Sequence, residues 1–137
     1  MTEMSQEEQI LRDSRTVALV GASPDVERPS YRVLAYLKEQ GYRVIPVNPR
    51  FPQILGETSY PDLAAIPEKV DVVDIFRRAE DVPPVVDQAI VIGAKVVWMQ
   101  LGVINEAAAS RAREAGLQVV MDRCMRKEHL KMRRIPE

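Results

Sequence analysis

Five short apolar runs, at 16–20, 42–47, 70–76, 95–99 and 117–121, alternate with segments of helical periodicity. This alternation is the strongest constraint on the fold. Runs rich in Val and Ile, with little polar alternation, suit strands covered on both faces. A helix between each pair supplies the crossover that parallel strands require. The expected class is therefore α/β, with a doubly wound, five-stranded parallel sheet in three αβα layers and a single domain. Residues 1–14 form a short N-terminal helix placed outside the sheet, and residues 15–137 form the domain. We expect the strand order 3-2-1-4-5, counting strands along the chain.

The first unit, TVALVGASPDVERPSYRVL, runs from Thr16 to Leu34. It reads as strand, small-residue turn and helix. Gly21 allows a sharp turn and close approach of a ligand. Ser23 offers a hydroxyl and an N–H. A helix beginning near Ser30 presents unpaired N–H groups and the positive end of its dipole, a combination that suits phosphate. The dinucleotide pattern G-x-G-x-x-G is absent, and the same turn also serves a junction that binds nothing. Tyr31, Leu34 and Leu37 follow at core spacing, and Gly41 stops the helix.

In open α/β sheets, ligands bind outside the carboxyl ends of the strands. Those ends carry Gly21-Ala22-Ser23, Asn48-Pro49-Arg50, Arg77-Arg78, Gln100-Leu101-Gly102 and Arg123-Cys124. Together they make a cationic rim with several hydrogen-bonding groups, suited to a nucleotide-type anion. Where a nicotinamide-binding fold places an acid for the ribose 2′-OH, this chain has Asn48. Arg50 keeps a 2′-phosphate, and hence NADP, open. Asn48-Pro49 also suits a simple turn. Pro46 donates no ladder bond, so it belongs near the end of its strand.

The chain has 137 residues and a formal charge of −1, which argues against a nucleic-acid surface. One cysteine precludes an intramolecular disulfide and points to a reducing, cytoplasmic setting. The acidic N-terminus has no apolar core of a signal peptide, and no run is long enough to span a membrane. With one histidine and one cysteine, a zinc site is not expected.

No catalytic constellation stands out. Ser23 has no histidine placed to activate it. Cys124, beside Arg123, is either a reactive thiol or an inert, partly buried one. His129 reads as a surface residue of a terminal helix starting at Met125, and Trp98 as core. Asp71 and Asp74 read as the polar positions of a half-exposed strand.

The set VGAS…RPSY, PVNP, DIFRR, AKVVWMQLG and VVMDRC resembles the small bacterial CoA-binding domain proteins. Their fold is similar to the CoA-binding domain of the succinyl-CoA synthetase alpha subunit. The resemblance covers residues from about 15 to 130. It implies a Rossmann-like domain with coenzyme A, or an acyl-CoA, as ligand. Gly21, Ala22 and Ser23 would face the diphosphate, and Arg28, Pro29 and Ser30 would line the approach. Asn48 and Pro49 would sit near the adenosine, with Phe76 and Arg77 flanking the nucleotide. Gln100, Leu101 and Gly102 would border the pantetheine path, with Cys124 near its end, which raises the expectation of a mixed disulfide with CoA. The synthetase's phosphorylated histidine and ATP-grasp region have no counterpart here, so the resemblance implies binding rather than ligation. Two alternatives stay open: a Cys124-dependent enzyme or partner-requiring subunit acting on CoA thioesters, and an NADP-binding module.

Overall fold

The structure is a computed structural model, and it describes residues 4–133. Strands β1 (Thr16–Val20), β2 (Arg43–Val47), β5 (Val72–Ile75), β6 (Val96–Met99) and β7 (Gln118–Val120) form one parallel sheet in the order β2-β1-β5-β6-β7. A small antiparallel pair, β3 (Gln53–Ile54) and β4 (Glu57–Thr58), lies in the connection from β2 to β5. Helices α1 (Gln6–Asp13), α2 (Pro29–Glu39), α3 (Val82–Val91), α4 (Glu106–Glu114) and α5 (Met125–Arg133) complete the chain.

The main strands therefore lie in the order 2-1-3-4-5 along the chain, not the expected 3-2-1-4-5. Pro46 suits β2 as an edge strand. Its carbonyl accepts the Tyr60 N–H at 3.1 Å, on the side of β2 away from β1. The missing proline donor thus faces the outer edge, where no ladder bond is lost. A third strand outside β2 would have needed that donor. The winding direction consequently reverses between β1 and β5, which defines the crevice for a ligand.

Both faces of the sheet are covered. Val17, Leu19, Val44, Val72, Val96, Trp98 and Val120 face a layer made by α1, α2 and α5, through Ile10, Leu11, Val33, Leu34, Leu37 and Met125. Ala18, Val20, Val47, Val73, Ile75, Val97, Met99 and Val119 face α3 and α4, whose Ala108, Ala109 and Ala112 allow close approach. Trp98 is fully buried, as expected, and its Nε1 donates to the Arg123 carbonyl at 2.8 Å. Tyr31 is only half-buried, whereas Val33 joins Leu34 and Leu37 in the core.

Two polar residues, Asp74 and His129, depart from expectation. Asp74 is not on a half-exposed face: it is completely buried between Leu19 and Trp98 in the neighbouring strands. The second face of the sheet is covered by helices rather than water, and periodicity alone does not distinguish the two. Asp71 does sit near the surface, where it accepts the Arg15 and Thr16 N–H groups at 2.9 and 3.0 Å. His129 is buried rather than exposed, with Nδ1 2.7 Å from the Tyr36 hydroxyl, because α5 packs that face against α2. Asp81 precedes α3, but its carboxylate is engaged by Arg78 and makes no cap bond to the helix. Asn105 does cap α4, accepting the Ala108 N–H at 3.0 Å.

Candidate functional site

The β1–α2 turn is built by local polar bonds. The Ser23 hydroxyl accepts the Asp25 N–H at 3.0 Å, and the Asp25 carboxylate accepts the Glu27 N–H at 2.9 Å. Helix α2 then starts with Pro29 at its first position, and Arg28 supplies no side-chain cap. Pro29 carries no N–H and the Tyr31 N–H reaches the Arg28 carbonyl at 3.1 Å, so the Ser30 N–H is the first-turn donor left without a bond, at the positive end of an eleven-residue helix.

Gly21 marks the tightest point. Its φ is +89°, and a Cβ there would lie 2.2 Å from the Phe76 carbonyl oxygen. No other residue type fits between the ends of β1 and β5. The Phe76 N–H in turn donates to the Val20 carbonyl at 2.8 Å. Asn48, at the end of β2, ties the next loop in. Its amide donates to the Ala22 carbonyl at 2.7 Å and accepts the Arg50 N–H at 2.9 Å. The turn-making role thus uses one donor and one acceptor of the side chain, and leaves one of each.

These elements enclose a cavity of about 900 Å³ over the β1/β5 reversal. Of the residues anticipated from the sequence, Gly21, Ala22, Ser23, Arg28, Pro29 and Ser30 line it from the first turn and α2. Asn48 and Arg50 line it from the end of β2, Phe76 and Arg77 from the end of β5, Gln100 and Leu101 from the end of β6, and Cys124 from the loop after β7. Pro49 and Gly102 are outside the lining. The Gly102 N–H is taken by the Asp122 carboxylate at 2.7 Å.

Sequence reasoning missed Arg32, Phe51, Arg126 and Lys127, which also line the cavity. Arg32 had a signal, since it lies four residues after Arg28 on one helical face. Arg126 and Lys127 had none without knowing where α5 docks. Arg126 also lies 5.7 Å from the centre of the Tyr36 ring.

The electrostatic contrast with the whole chain is large. Arg28, Arg32, Arg50, Arg77, Arg78, Arg126 and Lys127 line the cavity, against one acid, Asp25. Arg28, Arg32 and Arg78 have acidic neighbours within 4.0 Å. Among the described residues, Arg50, Arg77, Arg126 and Lys127 have no ion pair. The wall also contains an orphan: Gln100 is 7% exposed, and its Oε1 has no hydrogen-bond partner.

Such a cavity, cationic and set against a helix N-terminus at the reversal of a parallel sheet, belongs to a Rossmann-like α/β domain. Comparison with known proteins makes the assignment specific. Residues 15–130 match the CoA binding domain family, and the chain belongs to that family. An uncharacterized protein, YneT of Bacillus subtilis, is 36% identical over 121 residues, covering 88% of this chain and 90% of that protein. A solved structure, described as a hypothetical protein from Pyrococcus horikoshii OT3, is 43% identical with a TM-score of 0.89, covering 96% of this chain and 98% of the other. An ADP-forming acetate–CoA ligase II of Archaeoglobus fulgidus is 35% identical over 83 residues, which are 59% of this chain but 12% of the ligase. Among the described residues, no helix is long and apolar enough to cross a membrane.

Proposed function

We propose that this chain binds coenzyme A, free or acylated, in the cavity over β1 and β5. The observation that carries the reading is the concentration of cationic side chains around an uncapped helix start, in a chain of net charge −1. Family membership supports the choice of ligand. In this reading the diphosphate lies over Gly21, Ala22 and Ser23 and meets the first turn of α2. Arg28, Arg50 and Arg77 neutralise phosphate charge, and their guanidinium groups give paired donors to phosphate oxygens. Asn48 offers its remaining donor and acceptor to the adenosine side. The pantetheine arm runs past Gln100 and Leu101 toward Cys124.

One observation favours a second ligand. Arg50 stands at the end of β2, where a doubly wound fold can meet the 2′-phosphate of NADP. Thermal unfolding with coenzyme A, dephospho-CoA and NADP separates the two. A ligand at 100 times its dissociation constant adds about 2.7 kcal/mol, a rise of roughly 8–13 °C for a chain of this size. The expected result is a rise with coenzyme A that exceeds the rise with NADP. A rise with NADP alone assigns the cavity to the dinucleotide, and no rise with any of the three overturns the reading. Cys124 chemistry on CoA thioesters is a further step that this binding measurement does not require.

A further inference from the structure

Helix α5 packs on α1 and α2, and its first turn reaches the cavity through Arg126 and Lys127. One residue of α2 holds α5 there by two contacts. The Tyr36 ring centre lies 5.7 Å from the Arg126 guanidinium carbon, and the Tyr36 hydroxyl lies 2.7 Å from His129 Nδ1. Arg126 and His129 are three residues apart, so they share one face of α5 and meet the same tyrosine. His129 is buried, does not line the cavity, and is the sole histidine of the chain.

The groups around His129 favour a neutral ring. From α2, the Tyr36 hydroxyl has a single hydrogen, and a neutral Nδ1 accepts it. From the turn before β2, the Tyr42 ring stands edge-on at 5.8 Å, with its hydroxyl committed to the Leu11 carbonyl at 2.5 Å. From α1, Arg12 acts on Tyr42 and is paired with Glu8. On α5 itself, Glu128 is paired with Lys131, and Arg133 adds a like charge. Among the described residues, no carboxylate pairs with His129. Burial, and then Arg133, hold its pKa below the usual value. Proton uptake would put a hydrogen on the nitrogen that accepts from Tyr36, and a second positive charge beside the ring that carries Arg126.

We propose that Tyr36 and His129 are positioning residues for the cationic wall formed by Arg126 and Lys127, and that protonation of His129 releases this wall, so that the cavity loses affinity for its polyanion in acid. The hydroxyl bond to His129 and the seat of Arg126 on the ring belong to one side chain, so a shift of α5 breaks both. This rests on the coenzyme A reading above, with Arg126 and Lys127 among the groups that meet the ligand's phosphates. Binding and proton uptake are then linked reciprocally. Coenzyme A selects the docked helix, and so lowers the His129 pKa further. The direction is diagnostic. Charge attraction alone would make a polyanion raise the pKa of a nearby histidine, and a histidine that only packs would not respond.

The test is NMR titration of the single histidine ring in the whole, tag-free chain, with and without saturating coenzyme A. The ring reports His129 alone, so protonation of the ligand's phosphates does not enter. The free chain should titrate below about pH 6.5. Coenzyme A should move the midpoint down by about half a unit to one unit, which is a threefold to tenfold lower affinity for the protonated chain. In the chain carrying Arg126→Gln and Lys127→Gln that shift should disappear. Calorimetry between about pH 7.5 and 5.5 reads the same linkage as affinity. The native chain should lose about threefold more affinity than His129→Gln, whose side-chain oxygen can still accept from Tyr36. If coenzyme A raises the unfolding temperature but the midpoint stays or rises, or both chains lose affinity equally, the inference fails and the binding reading stands. If coenzyme A raises nothing, both fail.

Discussion

Asp74 offers the sharpest quantitative test of the buried structure. Its carboxylate oxygens have no hydrogen-bond partner, and burial raises its pKa well above the ordinary carboxylate value. In the unfolded chain an aspartate loses its proton near pH 3.9. Between that pH and the native value, the unfolded state has released a proton that the native state keeps. The native state therefore loses stability as pH rises through this window, by about 1.4 kcal/mol per pH unit, until the native carboxyl itself ionises. Asp74→Asn removes the titration with little change in shape. The stability of the variant minus that of the native chain should climb from near pH 4 with that slope, or roughly 4–7 °C per pH unit. Thermal unfolding of both proteins at pH 4.5, 5.5 and 6.5 measures it.

The difference cancels the other titrating groups, which act in the opposite direction. Glu57, held down by Lys38 and then Arg43, and Glu68, held down by Arg43, stabilise the native state above their ordinary range and lose that contribution as pH falls. For Asp71, burial pushes upward, but the Arg15 and Thr16 N–H groups and Lys95 together bring it below its usual value, with the same sign. His129, lowered by burial and by Arg133, costs stability as pH falls below about 6.5, where the unfolded histidine gains its proton first. The amide introduced by Asp74→Asn also lacks a partner, so the slope is the test rather than the absolute stability. A difference that stays flat across the three pH values would refute the assignment of Asp74 as a buried, protonated carboxyl.

Three further substitutions probe the site and its support. Gly21→Ala drives a Cβ into the Phe76 carbonyl at a positive φ, and should cost about 2–5 kcal/mol in denaturant unfolding; a loss under about 1 kcal/mol would mean the β1 and β5 ends separate easily. Arg50→Ala removes a cationic donor that has no ion pair among the described residues. It should weaken coenzyme A binding by about tenfold to a hundredfold in calorimetry, while leaving the unfolding temperature of the free chain within a few degrees. Trp98→Phe deletes the 2.8 Å bond to the Arg123 carbonyl, and should lower stability by about 1–3 kcal/mol and speed alkylation of Cys124 by iodoacetamide; an unchanged alkylation rate would show that the indole does not hold the cysteine loop.

Much of the scaffold is legible in the sequence because its signals are local. Gly21 after Thr16–Val20, Asn105 before α4 and Gly116 after it mark boundaries by their own backbone chemistry. Strand order departs from expectation although Pro46 offers a clue, since a proline suits an edge strand. Asp74 escapes a sequence reading because the pattern VDVVDIF alternates in the same way whether a face meets water or a helix. His129 escapes it because its partner, Tyr36, lies 93 residues away, and only the docking of α5 on α2 brings them together. The same docking delivers Arg126 and Lys127 to the cavity. Residues contributed by the first turn and strand ends can be named from sequence, while those contributed by a helix packing from elsewhere cannot.

The two ends of the sheet differ in how well their polar groups are satisfied, and the difference bears on function. At the end where the strands begin, Asp71 binds two backbone N–H groups, and Arg43 reaches both Glu57 and Glu68 at 2.8 and 2.7 Å. At the end where they finish, α2 has no side-chain cap, Gln100 has an orphan acceptor, Gly21 sits against a carbonyl, and several cations lack ion pairs among the described residues. Asp74, one residue short of the end of β5, belongs to the same region. Each feature costs stability on its own, and folding alone gives no reason for them to gather at one edge. A polyanionic ligand would meet the Ser30 N–H and the unpaired cations at once, which is how a site paid for in stability becomes consistent with a stable complex. Asp74 remains outside that compensation, since it does not line the cavity, and its cost should persist in the bound state. The pH slope measured with saturating coenzyme A should therefore equal the slope measured without it. A slope that vanishes on binding would show that the ligand reaches the carboxyl, and would extend the site beneath Gln100.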